Sequence, residues 1–205
     1  MALTKLNVAR ALTGATPVAN GGTALTSGFV NGGGLTMVDQ WRLTSNVEDS
    51  QDPIYQNLGQ ATGNGAVNLG SSMTQSGGVF TFPSTGIYLI IATGMFDEQN
   101  SAGANVQMTL QIKLTTNNSS YSTVAYGYES IHGTDAQGCS VVSTLFDVTD
   151  TTNCKVKFAS GGLTSGNRLI GNGTANTTNF QFIRLGDTWL ILNVNVANQS
   201  VIVVN

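Results

Sequence analysis

The sequence is poor in charge, cysteine and histidine, and each shortage argues against a class of function. Only 9% of its 205 residues are charged, against about a quarter in an average soluble domain. The net charge is −3 and no basic patch stands out, so we expect no nucleic-acid partner. No stretch is long and apolar enough to span a bilayer, so we expect no membrane partner either.

Cysteine and histidine are too scarce for most metal or nucleophile chemistry. Cys139 and Cys154 are the only cysteines. Residues 1–20 do not resemble a secretory signal, so we expect both thiols to be reduced. Any Ser-His-Asp or Cys-His site would have to use His132, the one histidine, whose surroundings predict a surface loop. We therefore predict no enzyme activity and no catalytic residue.

The acidic residues suggest no defined cofactor site. Glu48, Asp49 and Asp52 cluster in one predicted loop, and Asp97 is followed by Glu98. Carboxylate oxygens of this kind suit calcium, but neither group has the ligand spacing of a calcium loop. We predict no cofactor and no metal site, with solvated carboxylates as the preferred interpretation and calcium as the alternative.

Gly, Thr, Ser and Asn are abundant instead, between short apolar segments, which is typical of an all-β protein. The organising segment is 78–96. Phe80 and Phe82 share one face of a strand that should end at Pro83, and a Ser-Thr-Gly turn leads to a second strand, which predicts a hairpin. Residues 87–92 are apolar on both faces, which indicates that a second sheet or another subunit covers each face.

Alternation of apolar and polar side chains predicts the remaining strands. Residues 106–114 alternate as a half-buried antiparallel strand does. Further strands are predicted at 37–43, 121–129, 140–148, 154–158 and 179–185, with a hairpin loop at 147–154 and a long loop at 161–178. No segment has convincing helical periodicity. Eight or more short strands with turns between them predict a β-sandwich or jelly roll.

Two segments flank the predicted jelly-roll domain, which we place at residues 36–187. Residues 1–35 are rich in Gly, Ala and Thr, and form either a floppy tail or, as we favour, an arm that folds against a neighbouring subunit. Residues 188–205 end in an apolar run that would invite aggregation if left unpaired, which predicts an interface strand. The candidate shell-attachment residues in these segments are Leu3, Leu6, Val8, Leu190, Leu192, Val194, Val196, Val201, Ile202 and Val203.

The run FTFPSTGIY at residues 80–88 resembles the F-T-x-P-x-x-G-x-Y segment of C1q/tumour-necrosis-factor-like domains. Residues 145–156 resemble a later hairpin of that family, and residues 179–185 resemble its closing aromatic strand. The resemblance covers about residues 37–187 and implies a ten-stranded jelly roll that assembles as a homotrimer around apolar and aromatic strand faces. Candidates for packing at the trimer axis, with the core of one subunit as the alternative, are Phe80, Phe82, Tyr88, Phe180 and Phe182.

Residues 3–14 and 17–22 resemble phage virion proteins, especially those of marine phages with C1q-like heads. This resemblance implies a virion structural protein assembled in the host cytoplasm. We predict a trimeric capsid decoration or cement protein whose partners are its own copies and the major capsid protein or another virion protein. The alternative is a tail-fibre or receptor-binding tip whose loops 100–105 and 161–178 contact a host glycan or protein. A glycan-active enzyme is least favoured, because no carboxylate pair can be assigned acid and nucleophile roles.

Overall fold

The computed structural model describes residues 35–63, 65–98, 106–131, 133, 136–163 and 166–188. This described part of the chain is all β and contains no helix, so none of it forms a helix that could cross a membrane. Its eleven strands are β1 Met37–Leu43, β2 Leu58–Gln60, β3 Thr74–Ser76, β4 Val79–Thr81, β5 Gly86–Glu98, β6 Val106–Thr115, β7 Ser122–Ile131, β8 Gln137–Val148, β9 Lys155–Gly161, β10 Asn167–Leu169 and β11 Asn179–Gly186.

The strands form two antiparallel sheets that pack face to face. In the first sheet, β8, β5, β11, β1 and β2 follow one another, and the short β10 pairs with the far end of β5. The second sheet has the order β3-β4-β9-β6-β7. Most strand neighbours are distant in the chain, as in a jelly roll. The predicted all-β jelly-roll sandwich is confirmed.

Both predicted hairpins are wrong, because their two strands lie in different sheets. β4 pairs with β3 and β9 in the second sheet, whereas β5 pairs with β8 and β11 in the first. Residues 82–85 therefore carry the chain from one sheet to the other, and residues 149–154 do the same between β8 and β9. Alternation reports which face of a strand is buried but not which strand lies beside it, so it cannot separate a hairpin from a crossover. The predicted loop 161–178 also contains β10.

The first crossover is held by a hydrogen bond from the core. The hydroxyl of Tyr88 donates to the backbone oxygen of Ser84 at 2.9 Å and lies 3.1 Å from the Ser84 hydroxyl. Gly86 sits at a φ of 146°, and a Cβ there would lie 2.5 Å from the carbonyl oxygen of Gly186. Glycine is thus required between the turn and β5, which gives the G-x-Y part of the 80–88 segment a physical reason.

The core between the sheets is aromatic. The ring of Phe80, from the second sheet, lies 5.3 Å from Trp41 and 5.2 Å from Phe182, both in the first sheet. Phe158 of β9 stacks on Phe180 of β11 at 4.2 Å. Contacts of this geometry add about 0.5–1.5 kcal/mol each to the burial of the rings themselves.

The five aromatic candidates for trimer-axis packing lie in this core. Each is at most 2% exposed within one subunit. A side chain so completely enclosed by its own chain has no surface left for a second copy, so burial in the single subunit is the alternative that the structure supports. The residues concerned are Phe80, Phe82, Tyr88, Phe180 and Phe182.

The first sheet also encloses a carboxylate. Asp39 of β1 is 0% exposed. Its Oδ1 accepts hydrogen bonds from the backbone N–H of Gln40 and the amide of Gln60, each at 2.9 Å. Its Oδ2 accepts from the indole N–H of Trp41 at 3.0 Å and the backbone N–H of Met73 at 2.7 Å. Four donors replace the water that the carboxylate lost, and they fix Trp41 against Phe80.

We expect Phe80→Ala to lower the free energy of unfolding by about 3–5 kcal/mol, because it removes a fully enclosed ring from the core. Val67→Ala is the control, since Val67 is 72% exposed and its loss should cost no more than about 0.5 kcal/mol. Urea denaturation at two protein concentrations measures both. A Phe80→Ala loss that grows on dilution would place the ring at a subunit interface and contradict its assignment to the core.

Candidate functional site

One face of the first sheet points away from the core and is largely apolar. It is formed by the side chains of β1, β5, β8 and β11 that alternate with the core residues. We call this surface the outer face. Its apolar members are Val38, Ile87, Leu89, Ile91, Met95, Val141, Leu145, Ile183 and Leu185.

Strand register aligns four of these side chains in a continuous row. Leu89 of β5 lies directly opposite Leu145 on one side and Ile183 on the other. Ile183 in turn lies opposite Val38 of β1. With strands about 4.8 Å apart, the row extends for about 14 Å across the sheet.

The outer face is not covered by the described part of the chain. Val141 and Leu145 are each 62% exposed and Leu185 is 50% exposed, while Leu89 and Ile183 are half-buried by their neighbours. Single exposed apolar side chains are ordinary, but a contiguous group spanning four strands marks an interaction surface. Residues 87–92 were predicted to be covered on both faces. Within the described chain only their inner face is covered.

The outer face becomes polar toward one end of the sheet. Gln40 of β1 lies opposite Gln181 of β11, and Arg42 lies opposite Asn179. The amide of Gln181 donates to Asn179 at 3.2 Å. The surface thus has an apolar half that suits a protein partner and a polar half with hydrogen-bonding side chains.

A second exposed apolar group lies on β7, the edge strand of the other sheet. Tyr126 and Tyr128 are 43% and 56% exposed, and their ring centroids are 4.4 Å apart. Desolvation is the main cause that raises the pKa of Tyr128, and the charge and hydrogen bond of the neighbouring Tyr126 raise it further. A Cβ at Gly127, between them, would lie 2.1 Å from the hydroxyl of Ser140 on β8. Glycine thus lets β7 approach β8, which places the tyrosines near the β8 edge of the first sheet.

Two of the predicted acidic candidates for calcium are engaged by cations. Asp97 is 4% exposed, and its Oδ2 accepts from Nη2 of Arg168 at 2.7 Å. Asp52 bridges Lys113 at 2.5 Å and Lys157 at 2.9 Å. Within the described ranges no three His, Cys, Asp or Glu side chains are grouped so as to hold a metal ion.

The remaining candidates divide into those the structure describes and those it does not. Cys139 is exposed and Cys154 buried, and both are free thiols. Glu48 and Asp49 are exposed. His132 and all the shell-attachment candidates lie outside the described residues. Alternation did mark both faces of β5 as apolar, but only the sheet register shows that four strands share one exposed row.

Comparison with known proteins identifies the fold. No family model and no curated protein matches the sequence. The Eiger TNF from S. frugiperda aligns over 76% of this chain and 96% of its own with a TM-score of 0.56. Murine APRIL aligns over 73% of this chain and 98% of its own with a TM-score of 0.53. Each is 13% identical in sequence. The chain therefore has a TNF-like jelly-roll fold.

We expect Asp52→Asn to destabilise the protein at neutral pH and the effect to vanish in acid. Burial alone would raise the pKa of Asp52, but hydrogen bonds and charges from Lys113 and Lys157 outweigh it and hold the pKa below its ordinary value. A lowered folded-state pKa gives stability that is present above the unfolded-state pKa, about 3.9, and is lost as the pH falls through the folded-state value. Because the side chain is 44% exposed, each pair should contribute about 0.2–1 kcal/mol.

Thermal unfolding of both proteins between pH 7 and pH 2 measures this effect. Glu48→Gln removes the same charge from an exposed position in the same loop and should change stability by no more than about 0.5 kcal/mol at any of these values. A deficit of Asp52→Asn that stays constant down to pH 2 would show that the carboxylate acts by packing and not by its charge.

Proposed function

We propose that this protein is a non-enzymatic virion structural protein, a homotrimer that decorates a phage head and stabilises its shell. The observation that carries the self-association is the apolar row of the outer face, Leu145, Leu89, Ile183 and Val38, which the described chain leaves open. Burying such a row on another copy contributes about 25 cal/mol for each Å² of apolar surface removed from water, and this contribution has to exceed the entropy lost on association.

Three further features support the proposal. The TNF-like fold is that of the C1q/TNF-like resemblance, which implies trimers built on apolar strand faces. The resemblance of residues 3–14 and 17–22 to phage virion proteins supports the virion location. With 9% charged residues, the chain has little like-charge repulsion to oppose dense packing of identical copies.

Shell stabilisation follows from linkage. A protein that binds across joints between shell subunits binds only the assembled shell, so its binding free energy is added to the stability of that shell. Residues 1–35 and 188–205 are the proposed clamps, because their apolar side chains lie outside the domain that forms the trimer. The domain supplies the geometry and the terminal segments supply the attachment.

We expect Leu145→Glu to prevent self-association without unfolding the subunit. Leu145 is 62% exposed in the single chain, so a charge there is solvated in the monomer but would be desolvated in an interface. Sedimentation velocity should report a trimer for the parent protein and a monomer for the variant, with both keeping the same β-sheet circular dichroism. Tyr55→Glu places the same charge on a loop residue that is 55% exposed and should remain trimeric. If the Leu145→Glu protein were still a trimer, the outer face would not be part of the trimer interface.

The virion role is tested by measuring how many copies of the protein each particle contains. Quantitative mass spectrometry of purified particles should give a copy number comparable to that of the major shell protein. A number far smaller would favour a fibre or vertex component, and absence from particles would refute a virion role. A protein lacking residues 188–205 should remain trimeric yet fail to attach to shells, and normal occupancy by that truncated protein would contradict the assignment of this segment as a clamp.

A receptor-binding tip is the second candidate. A polar cavity on the outer face, lined by Gly63, Gly65 and Ala66 and by Thr174 and Asn176, favours it. Specific binding of the isolated protein to host cells, together with a low copy number, would support this function over decoration.

A further inference from the structure

A cavity of about 370 Å³ opens at the polar end of the outer face. It is lined by Gln40 and Arg42 of β1 and, from two loops, by Gly63, Gly65, Ala66, Thr174 and Asn176. Gly63 and Gly65 both have positive φ, with open space where a side chain would be. Its volume is near the lower end of the range of about 300–1,000 Å³ typical of small-molecule sites.

Arg42 brings an uncompensated positive charge to this cavity. The side chain is 5% exposed, and a buried guanidinium is costly unless a negative group pairs with it. None of the ion pairs in the described chain includes it. Of the eleven Asp and Glu residues in the sequence, only Asp135 lies outside the described residues, so nearly the whole supply of carboxylates has been placed elsewhere.

The hydrogen bonds of Arg42 are also incomplete. Nη1 donates to Oδ1 of Asn176 at 3.3 Å and Nη2 donates to the carbonyl oxygen of Thr62 at 3.2 Å. Nε is buried and has no partner among the described residues. A guanidinium carries five N–H donors in a planar fork that matches a carboxylate, so neutral acceptors engage this group without satisfying either its charge or its geometry.

The other lining residues limit the chemical classes of ligand that the cavity could bind. None of the described residues that line the cavity is acidic, so none of them can pair with the ammonium group of an amino acid. None of these described residues has a large apolar side chain either, which argues against a fatty or aromatic acid. Gln40 and Asn176, joined by a 3.2 Å hydrogen bond, offer amide groups of the kind that bind hydroxyls.

We propose that this cavity binds an acidic sugar, a uronic-acid-type residue whose carboxylate pairs with Arg42 and whose hydroxyls meet the amides of Gln40 and Asn176. The volume of the cavity, about 370 Å³, suits one monosaccharide unit. The proposal concerns the isolated protein, so it stands or falls separately from the virion role and its copy-number test.

The test is a titration of the full chain with glucuronate, glucose and acetate, followed by isothermal calorimetry or by amide chemical shifts in NMR. We expect glucuronate to bind saturably. Glucose and acetate should each bind at least tenfold more weakly than glucuronate. Asn176→Asp keeps the shape of the side chain and sets a carboxylate where Oδ1 now lies 3.3 Å from Nη1. This variant should fold with unchanged or higher thermal stability, because it neutralises Arg42, and should bind glucuronate at least tenfold more weakly.

Asn117→Asp is the matched control. It makes the same charge change in the turn between β6 and β7, where Oδ1 of Asn117 accepts from the backbone N–H groups of Ser119 and Ser120, and it should bind glucuronate as the parent protein does. The proposed site would be overturned if glucuronate did not bind saturably or if glucose bound as tightly as glucuronate. It would also be overturned if both variants lost glucuronate affinity to the same extent. Acetate binding as tight as glucuronate binding would overturn its assignment to a sugar.

Discussion

The contact of Phe80 with Trp41 and Phe182 across the sandwich fixes the orientation of the first sheet. Because side chains alternate along a strand, burying Trp41 on the inner side of β1 forces Val38, Gln40 and Arg42 onto the other side. The buried Asp39 strengthens this constraint by accepting the indole N–H of Trp41. A slip of β1 by one residue would bury the polar set and expose the ring, which makes the register costly to change. The outer face is thus a direct consequence of how the aromatic core is packed.

Sequence patterns predicted the features that depend on one strand alone. The inward faces of β4, β6 and β11 follow from alternation, because each is set by local burial, and the break at Pro83 follows from the N–H that proline lacks. The partners of β4 and β8 were mispredicted, since a crossover and a hairpin leave the same alternation on each strand. The burial of Arg42 could not be foreseen either, because it comes from the distant residues 61–63, 65–66 and 172–176, which cover an outward position of β1.

Scarcity of charge makes each charged residue informative. In the described chain Asp52 holds two lysines, Asp97 holds Arg168, and Arg184 pairs with Asp187. These pairs tie loops and strand ends together, which is a structural use of charge. Arg42 differs because none of the described acidic residues pairs with it although it is enclosed. In a protein with so few charges, a buried cation of this kind is better explained by a ligand than by stability, since an apolar residue of similar size would cost less to bury.

The two functions proposed for the outer face share strand β1. Val38 belongs to the apolar row and Arg42 to the cavity, and they lie four residues apart, about 13 Å along the strand. A second copy seated on the row would therefore lie close to the cavity mouth. Conversely, a sugar that neutralises Arg42 would remove an uncompensated charge from beside the interface and lower the cost of desolvating it. If both surfaces are used, ligand binding and assembly are then coupled in the favourable direction, and by linkage each must strengthen the other by the same factor.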